Sequence, residues 1–264
     1  MGHRSAYILA AKRTAVAPRL GALSGFSLHD LAAPVVRACL ESCGLTSLDV
    51  DEVIVSNALG AGGNPARLIA LASGCAASVA GLSIDRQCVG GLDALALAKH
   101  MVASGHAEIV IAGGVESYSK RPIRMGQNTE TALFEPYERP PFTPWPENDP
   151  DMAESASGLA KKYSISREMQ DTFACHSHAK AVANRELLGR EIVPIGSLNA
   201  DTYSRALSMA LCKRAPVIHD TITFANSAVA ADGAAFCVVV SEDIATAYTG
   251  KVVEIVDGIT IGAD

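Results

Sequence analysis

Short apolar runs alternate along the chain with longer amphipathic stretches, the pattern of an α/β domain. Tyr7 to Ala11 and Glu52 to Ser56 (EVIVS) are β-rich runs of the kind buried in a sheet covered on both faces. Between them, Ser27 and Asp30 form a capping-box-like helix start, and Leu28, Leu31, Val35, Val36 and Leu40 share one helical face before Gly44 stops it. These pieces make one β-α-β unit. The pattern next predicts a helix over Pro65 to Val79 and a strand around Gly81 to Arg86. A third helix, Leu92 to Ala103, is apolar almost all round, which predicts a place inside the molecule rather than on its surface. Glu108 to Ala112 (EIVIA) reads as a further buried strand.

The pattern breaks after Gly114. From Lys120 to Pro150 the chain carries Pro122, Pro136, Pro140, Pro141, Pro144, Pro146 and Pro150, which predicts an ordered excursion without regular elements. Asp151 and Ser166 are helix caps for the two helices that follow, the second ending at Gly189. Glu191 to Ile195 (EIVPI) is a short extended piece. The core pattern resumes with Thr221 to Phe224, a small-residue turn at Asn226 to Gly233, the strand Ala234 to Val240 and the stretch Lys251 to Ile261. No internal repeat is visible.

Composition and charge narrow the function classes. A chain of 264 residues with 49% hydrophobic and 19% charged residues has ample material for a core, which excludes disorder as its main state. A net charge of −6 and no long Lys or Arg run argue against general nucleic-acid or anionic-membrane binding. Ala234 to Val240, the strongest apolar run, is far shorter than the roughly 20 residues of a membrane helix. The cysteines at 39, 43, 75, 88, 175, 212 and 237 form no C-x-x-C pair and are odd in number. With no secretory signal at the start, free thiols in a reducing cytoplasm are the expectation.

The segment Ile84-Asp85-Arg86-Gln87-Cys88-Val89-Gly90-Gly91-Leu92 concentrates chemistry. A strand ends, one cysteine sits at the bend and a helix begins at once. Helix N-termini carry unpaired N–H groups and partial positive charge, which favour a thiolate and an oxyanion beside it. Gly90 and Gly91 remove side chains where a substrate or a second backbone approaches. The alternative reading of Cys88 is a small buried hydrophobe. The flanking strand, glycines and helix favour a nucleophile.

On these residues the chain resembles the thiolase family. DRQCVGGLDAL is similar to the segment around the family's acyl-accepting cysteine, and Ala112-Gly113-Gly114-Val115-Glu116-Ser117 to its AGG-x-E-S turn. The stretch from Met152 through Tyr163, Gln170-Asp171 and Ser177-His178 to Pro194 resembles the helical loop domain that binds coenzyme A. Asn226 with Asp232-Gly233-Ala234-Ala235 resembles the turn that closes the first core half. The resemblance implies an α/β fold: a thiolase-like β-α-β-α-β-α-β-β core half with an inserted helical loop domain, the second core half largely absent. It divides the chain into a first core part (1–118), the loop domain (119–215), a returning core part (216–248) and the first strand of a truncated second half (249–264). It implies Cys88 as the catalytic nucleophile, with its own N–H in an oxyanion hole. Met152, Asn226 and Ser227 are the implied coenzyme A contacts. The coenzyme A thioester is substrate; no permanent cofactor and no metal are expected.

Departures shape the functional expectation. The family's activating histidine in a GHP-type loop, its second cysteine in C-x-G-G-x-G and its NE-type asparagine all belong to the second half, and none of the three motifs occurs here. His176, His178 and His219 are unconvincing substitutes, and His100 and His106 lie too far along the helix from Cys88. Asp85 stands where the family usually has Asn, and Asn226-Ser227-Ala228 replaces N-x-S. No phosphate contact is assigned to the basic residues. The expected function is a thiolase-like acyltransferase acting on acyl-CoA, with His, Cys and Asn groups from a complementary chain. The alternative is a non-catalytic acyl-CoA-binding or assembly subunit, and a shortened gene product is a third reading. The expected partners are acyl-CoA and a second copy in a dimer or tetramer, or a hetero-oligomeric chain that supplies the C-terminal half. No nucleic acid and no membrane are expected.

Overall fold

A computed structural model describes residues 4–60 and 62–262. Ala263 and Asp264, which end the segment assigned to 249–264, lie outside the described residues. In chain order the elements begin β1 (Ala6–Thr14), β2 (Ala17–Pro18), α1 (Leu28–Ser42), β3 (Glu52–Ser56), α2 (Pro65–Ala72), β4 (Ala80–Ile84), α3 (Gly90–Ala103) and β5 (Ile109–Ser117). There follow β6 (Arg124–Gln127), β7 (Phe134–Tyr137), α4 (Met152–Lys162), α5 (Arg167–Ala183), α6 (Arg185–Gly189), β8 (Ile192–Val193) and α7 (Met209–Arg214). The chain closes with β9 (Val217–His219), β10 (Ile222–Thr223), β11 (Ala231–Ser241), α8 (Glu242–Ala247) and β12 (Val253–Glu254). It divides into two compact units, one of residues 1–121, 187–202 and 230–264, the other of residues 122–186 and 203–229.

The first unit is a mixed sheet in the order β12-β1-β11-β5-β3-β4. β3 runs parallel to β4 and β5, whereas β11 is antiparallel to both β5 and β1. Successive strand side chains point to opposite faces. On β5, Ile109, Ile111 and Val115 join the α1–α2 side, and Val110 and Ala112 the α3 side. EIVIA is therefore continuously apolar because both faces are covered, as expected. Each fully buried Val, Leu or Ile here contributes roughly 1.5–3 kcal/mol against exposure. The β-α-β-α-β-α-β-β order of the core half is the order observed.

Local signals explain the helix ends. Ser27 and Asp30 form the full capping box of α1. Asp151 Oδ1 accepts the Ala153 and Glu154 N–H groups, both at 2.8 Å, to start α4. α2 stops at Ala72, short of the expected Val79. Gly74 takes a φ of +88°, and the Cys75 N–H turns back to the Ala70 carbonyl, closing the helix in a left-handed cap.

α3 departs from the expectation of full enclosure. Ala94, Ala98 and Val102 form a stripe against the sheet with no exposure, but Leu92 is 71% exposed. The sheet covers one side only, so the second apolar stripe faces outward among the described residues. The stretch after β12 partly follows this helix: Lys99 Nζ donates to the Val256 carbonyl and Thr260 Oγ1 to Asp93 Oδ1, at 2.8 and 2.7 Å.

In the second unit the Pro-rich excursion contains a regular piece that the proline count hid. β6 and β7 pair antiparallel as a small hairpin, with Pro136 opposite Met125. Proline is tolerated in such a two-stranded piece because one side of each strand has no neighbour. The β9–β10 hairpin turns at Asp220, whose carboxylate takes the Ser157 hydroxyl and the Lys161 ammonium from α4, both at 2.9 Å. Those partners, Lys161 first, hold the Asp220 carboxyl below its ordinary pKa.

Candidate active site

Three parallel strands bring their carboxyl ends to one edge of the first unit, with Ser56 of β3 level with Ile84 of β4 and Gly114 of β5. Crevices outside such strand ends are the usual ligand positions of open α/β sheets. Asn57 follows β3, Cys88 lies four residues beyond β4, and Glu116 is the half-buried penultimate residue of β5. All three line a cleft of about 820 Å³. Its floor is made of small residues, among them Ala112, Gly114 and Ala235.

The turn that carries Cys88 is tight. Asp85 Oδ1 accepts the Gln87 N–H at 2.8 Å, and Gln87 adopts a φ of +49°, a left-handed conformation uncommon for a residue with a Cβ. Such backbone strain clusters at functional turns. α3 opens immediately afterwards with Val89 as its N-cap and no side-chain cap, so its first-turn N–H groups have no side-chain acceptor there. Gly90 allows the close approach of α3 to β3: an added Cβ would fall 2.9 Å from the Ser56 Cβ and closer still to its hydroxyl. Arg86 pairs with Asp93 of the first helical turn at 2.5 Å.

Of the seven cysteines, Cys88 alone is exposed. Burial pushes the thiols of Cys43, Cys75 and Cys237 up, and that of Cys39 up to about 12. Raised thiols are protonated at neutral pH and make poor nucleophiles.

Glu116 and Asn57 were not assigned a role from the sequence. The Glu116 carboxylate accepts the Ala58 and Leu59 N–H groups at 3.0 and 3.1 Å and the Asn57 amide at 2.8 Å. Burial nevertheless raises its pKa above the ordinary carboxylate value, and Asp85 adds to the rise. Glu116 thus fixes the loop after β3 as one wall of the cleft. The signal that points to both residues is their position at the ends of adjacent parallel strands.

The expected coenzyme A contacts belong to the second unit. Met152 begins α4 and is 70% exposed. Asn226 is held on every side: its Oδ1 accepts the Thr223 N–H at 2.7 Å, and its Nδ2 faces Asp171 at 3.0 Å and the Thr221 carbonyl at 3.2 Å. Its amide shapes the loop. Ser227 is half-buried, and its carbonyl accepts the Tyr203 hydroxyl at 3.3 Å. His176 and His219 are exposed, and the His178 ring packs tilted against Tyr203, with ring centres 5.5 Å apart and planes at 55°. Among the described residues no group of three or more His, Cys, Asp or Glu is arranged to hold a metal ion. No helix among them is long and apolar enough to cross a membrane.

Fold and cleft together define an α/β protein with an exposed cysteine at a strand-to-helix turn. The chain belongs to the thiolase family: the profile described as "Thiolase, N-terminal domain" matches residues 6–243. Two relatives are named "Putative acetyl-CoA C-acetyltransferase". YhfS of Bacillus subtilis (strain 168) is 39% identical over 251 residues, covering 92% of this chain and 65% of the relative. VraB of Staphylococcus aureus (strain MRSA252) is 36% identical, covering 98% of this chain and 72% of the relative. The chain therefore spans just under two thirds of the length of YhfS. The crystal structure of the Bacillus anthracis acetyl-CoA acetyltransferase matches with a TM-score of 0.85 at 29% identity, over 93% of this chain and 67% of that one.

Proposed function

We propose that this chain carries the acyl-accepting part of a thiolase-type transfer. The Cys88 thiolate attacks the thioester carbonyl of acyl-CoA, the carbon–sulfur bond to coenzyme A breaks, and the acyl group rests on Cys88 as a new thioester. It then passes to the carbanion of a second thioester or returns to coenzyme A. The observation that carries this reading is the exposed Cys88 at the mouth of a cleft, beside the N-terminus of α3, in a chain of the thiolase family. In this reading the backbone N–H of Cys88 serves the developing oxyanion.

Coenzyme A is substrate and leaving group. Met152 and Ser227 lie along it in this reading, and Asn226 contributes by holding the loop through Asp171. The activating histidine, the second cysteine and the oxyanion asparagine come from polypeptide outside these 264 residues, either a longer form of the chain or a complementary chain. The outward side of α3 that carries the exposed Leu92 is the surface that this polypeptide covers. A cytoplasmic dimer or tetramer built through the core half is the assembly the family likeness suggests.

Incubation with acetyl-CoA tests the reading. Intact mass should rise by about 42 Da, the acetyl group of a covalent intermediate, and Cys88→Ala should remove the adduct. Neither adduct nor coenzyme A binding, alone or with a complementary second-half polypeptide, would leave the non-catalytic assembly subunit as the better account.

A further inference from the structure

α5 and α7 place two cysteines of the second unit side by side. Cys175 Sγ of α5 lies 3.6 Å from Cys212 Sγ of α7, and the two thiols are not bonded. Met209 Sδ lies 3.8 Å from Cys175 Sγ, so sulfur fills the contact between the helices. Arg167, in the first turn of α5, donates to the Cys212 carbonyl at 2.7 Å and holds α7 in this register. Cys212 is wholly buried and Cys175 half-buried, so a small oxidant reaches the pair from the Cys175 side.

We propose that Cys175 and Cys212 are an oxidisable dithiol, a modification site at which a hydroperoxide closes a disulfide that staples α5 to α7. The Cys175 thiolate attacks the peroxide, the O–O bond breaks, and the alkoxide or hydroxide leaves with a proton as alcohol or water. Cys175 is then a sulfenic acid. The Cys212 thiolate attacks its sulfur, the S–O bond breaks, and water leaves. Two thiols and one hydroperoxide become one disulfide, one water and one alcohol (a second water for hydrogen peroxide), with two electrons passing from the sulfurs to the peroxide.

Closure requires the sulfurs, now 3.6 Å apart, to approach by about 1.5 Å, to a bond of about 2.05 Å. Burial pushes the Cys212 thiol up to about 11, with Cys175 adding to the rise. The second step is therefore slow at neutral pH and quickens as pH rises.

Peptide mapping of the whole chain gives the test. After hydrogen peroxide, denaturation and N-ethylmaleimide, a cross-linked Cys175–Cys212 peptide should appear, about 2 Da lighter than the sum of its reduced parts and reversed by dithiothreitol. Cys175→Ala should abolish it. The oxidised chain should also resist proteolysis between residues 176 and 211 more than the reduced one. Cys175 and Cys212 remaining alkylatable while Cys88 is oxidised would overturn the proposal. Cys175 ending as a sulfinic acid, pairing with another cysteine, or unchanged proteolysis would overturn it equally.

Discussion

Gly90 packs against Ser56 so closely that a methyl group on the glycine would sit 2.9 Å from the serine Cβ. Gly91, one residue on, has open space where its side chain would be. Gly90→Ala should therefore cost about 1–3 kcal/mol of stability as α3 is forced off β3. Gly91→Ala should leave urea unfolding nearly unchanged. Adding Ser56→Gly to Gly90→Ala should recover part of the loss, and an additive double mutant would show that the contact does not matter.

Asp171, only 2% exposed, joins Arg167 at 2.7 Å to the Asn226 amide at 3.0 Å. Asp171→Ala removes the acceptor of Arg167 Nε and one of the acceptors of the Asn226 amide. It should destabilise the chain by about 2–4 kcal/mol in urea unfolding. Asp171→Asn keeps an acceptor for one donor and should cost less.

His178 carries a pH dependence of definite sign. Burial, and then Arg205, lower its pKa below the ordinary value, and its Nδ1 accepts the Arg205 N–H at 3.4 Å. The unfolded chain binds that proton more readily, so the contribution is complete above about pH 6.5 and is lost as pH falls toward the folded value. Urea midpoints between pH 7.5 and 5 should fall more steeply for the natural chain than for His178→Gln. Equal slopes would refute the assignment.

Leu92, 71% exposed on α3, distinguishes stability from assembly. Leu92→Glu should change the stability of this chain by no more than about 0.5 kcal/mol. The same change should abolish capture of a complementary second-half polypeptide, measured by co-purification. Undiminished capture would place the contact elsewhere.

Local chemistry made much of the fold legible beforehand. Ser27 with Asp30, Asp151 and Ser166 marked helix starts that the structure keeps, because a cap depends on residues only a few positions apart. EVIVS is a strand from Glu52 to Ser56 as its apolar run suggested. The β6–β7 hairpin and the early end of α2 were less legible. A proline count does not say which strand edge is free, and Gly74 stops a helix whose apolar pattern continues past it. At the cleft, Cys88 stood out because its turn is encoded within a few consecutive residues. Asn57 and Glu116 did not, since they are 59 positions apart and meet only through strand pairing.

The sequence by itself determined the order of the core elements, the strand-cysteine-glycine-helix turn and the likeness to thiolases, all of which rest on neighbouring residues or on motif order. Tertiary structure alone decided which face of α3 is covered, that Glu116 anchors the loop after β3, that the Asn226 amide is occupied, and that Cys175 lies against Cys212. Each of these depends on pairing between segments far apart in the chain, where the sheet register and the burial it creates, rather than any local pattern, set the distances.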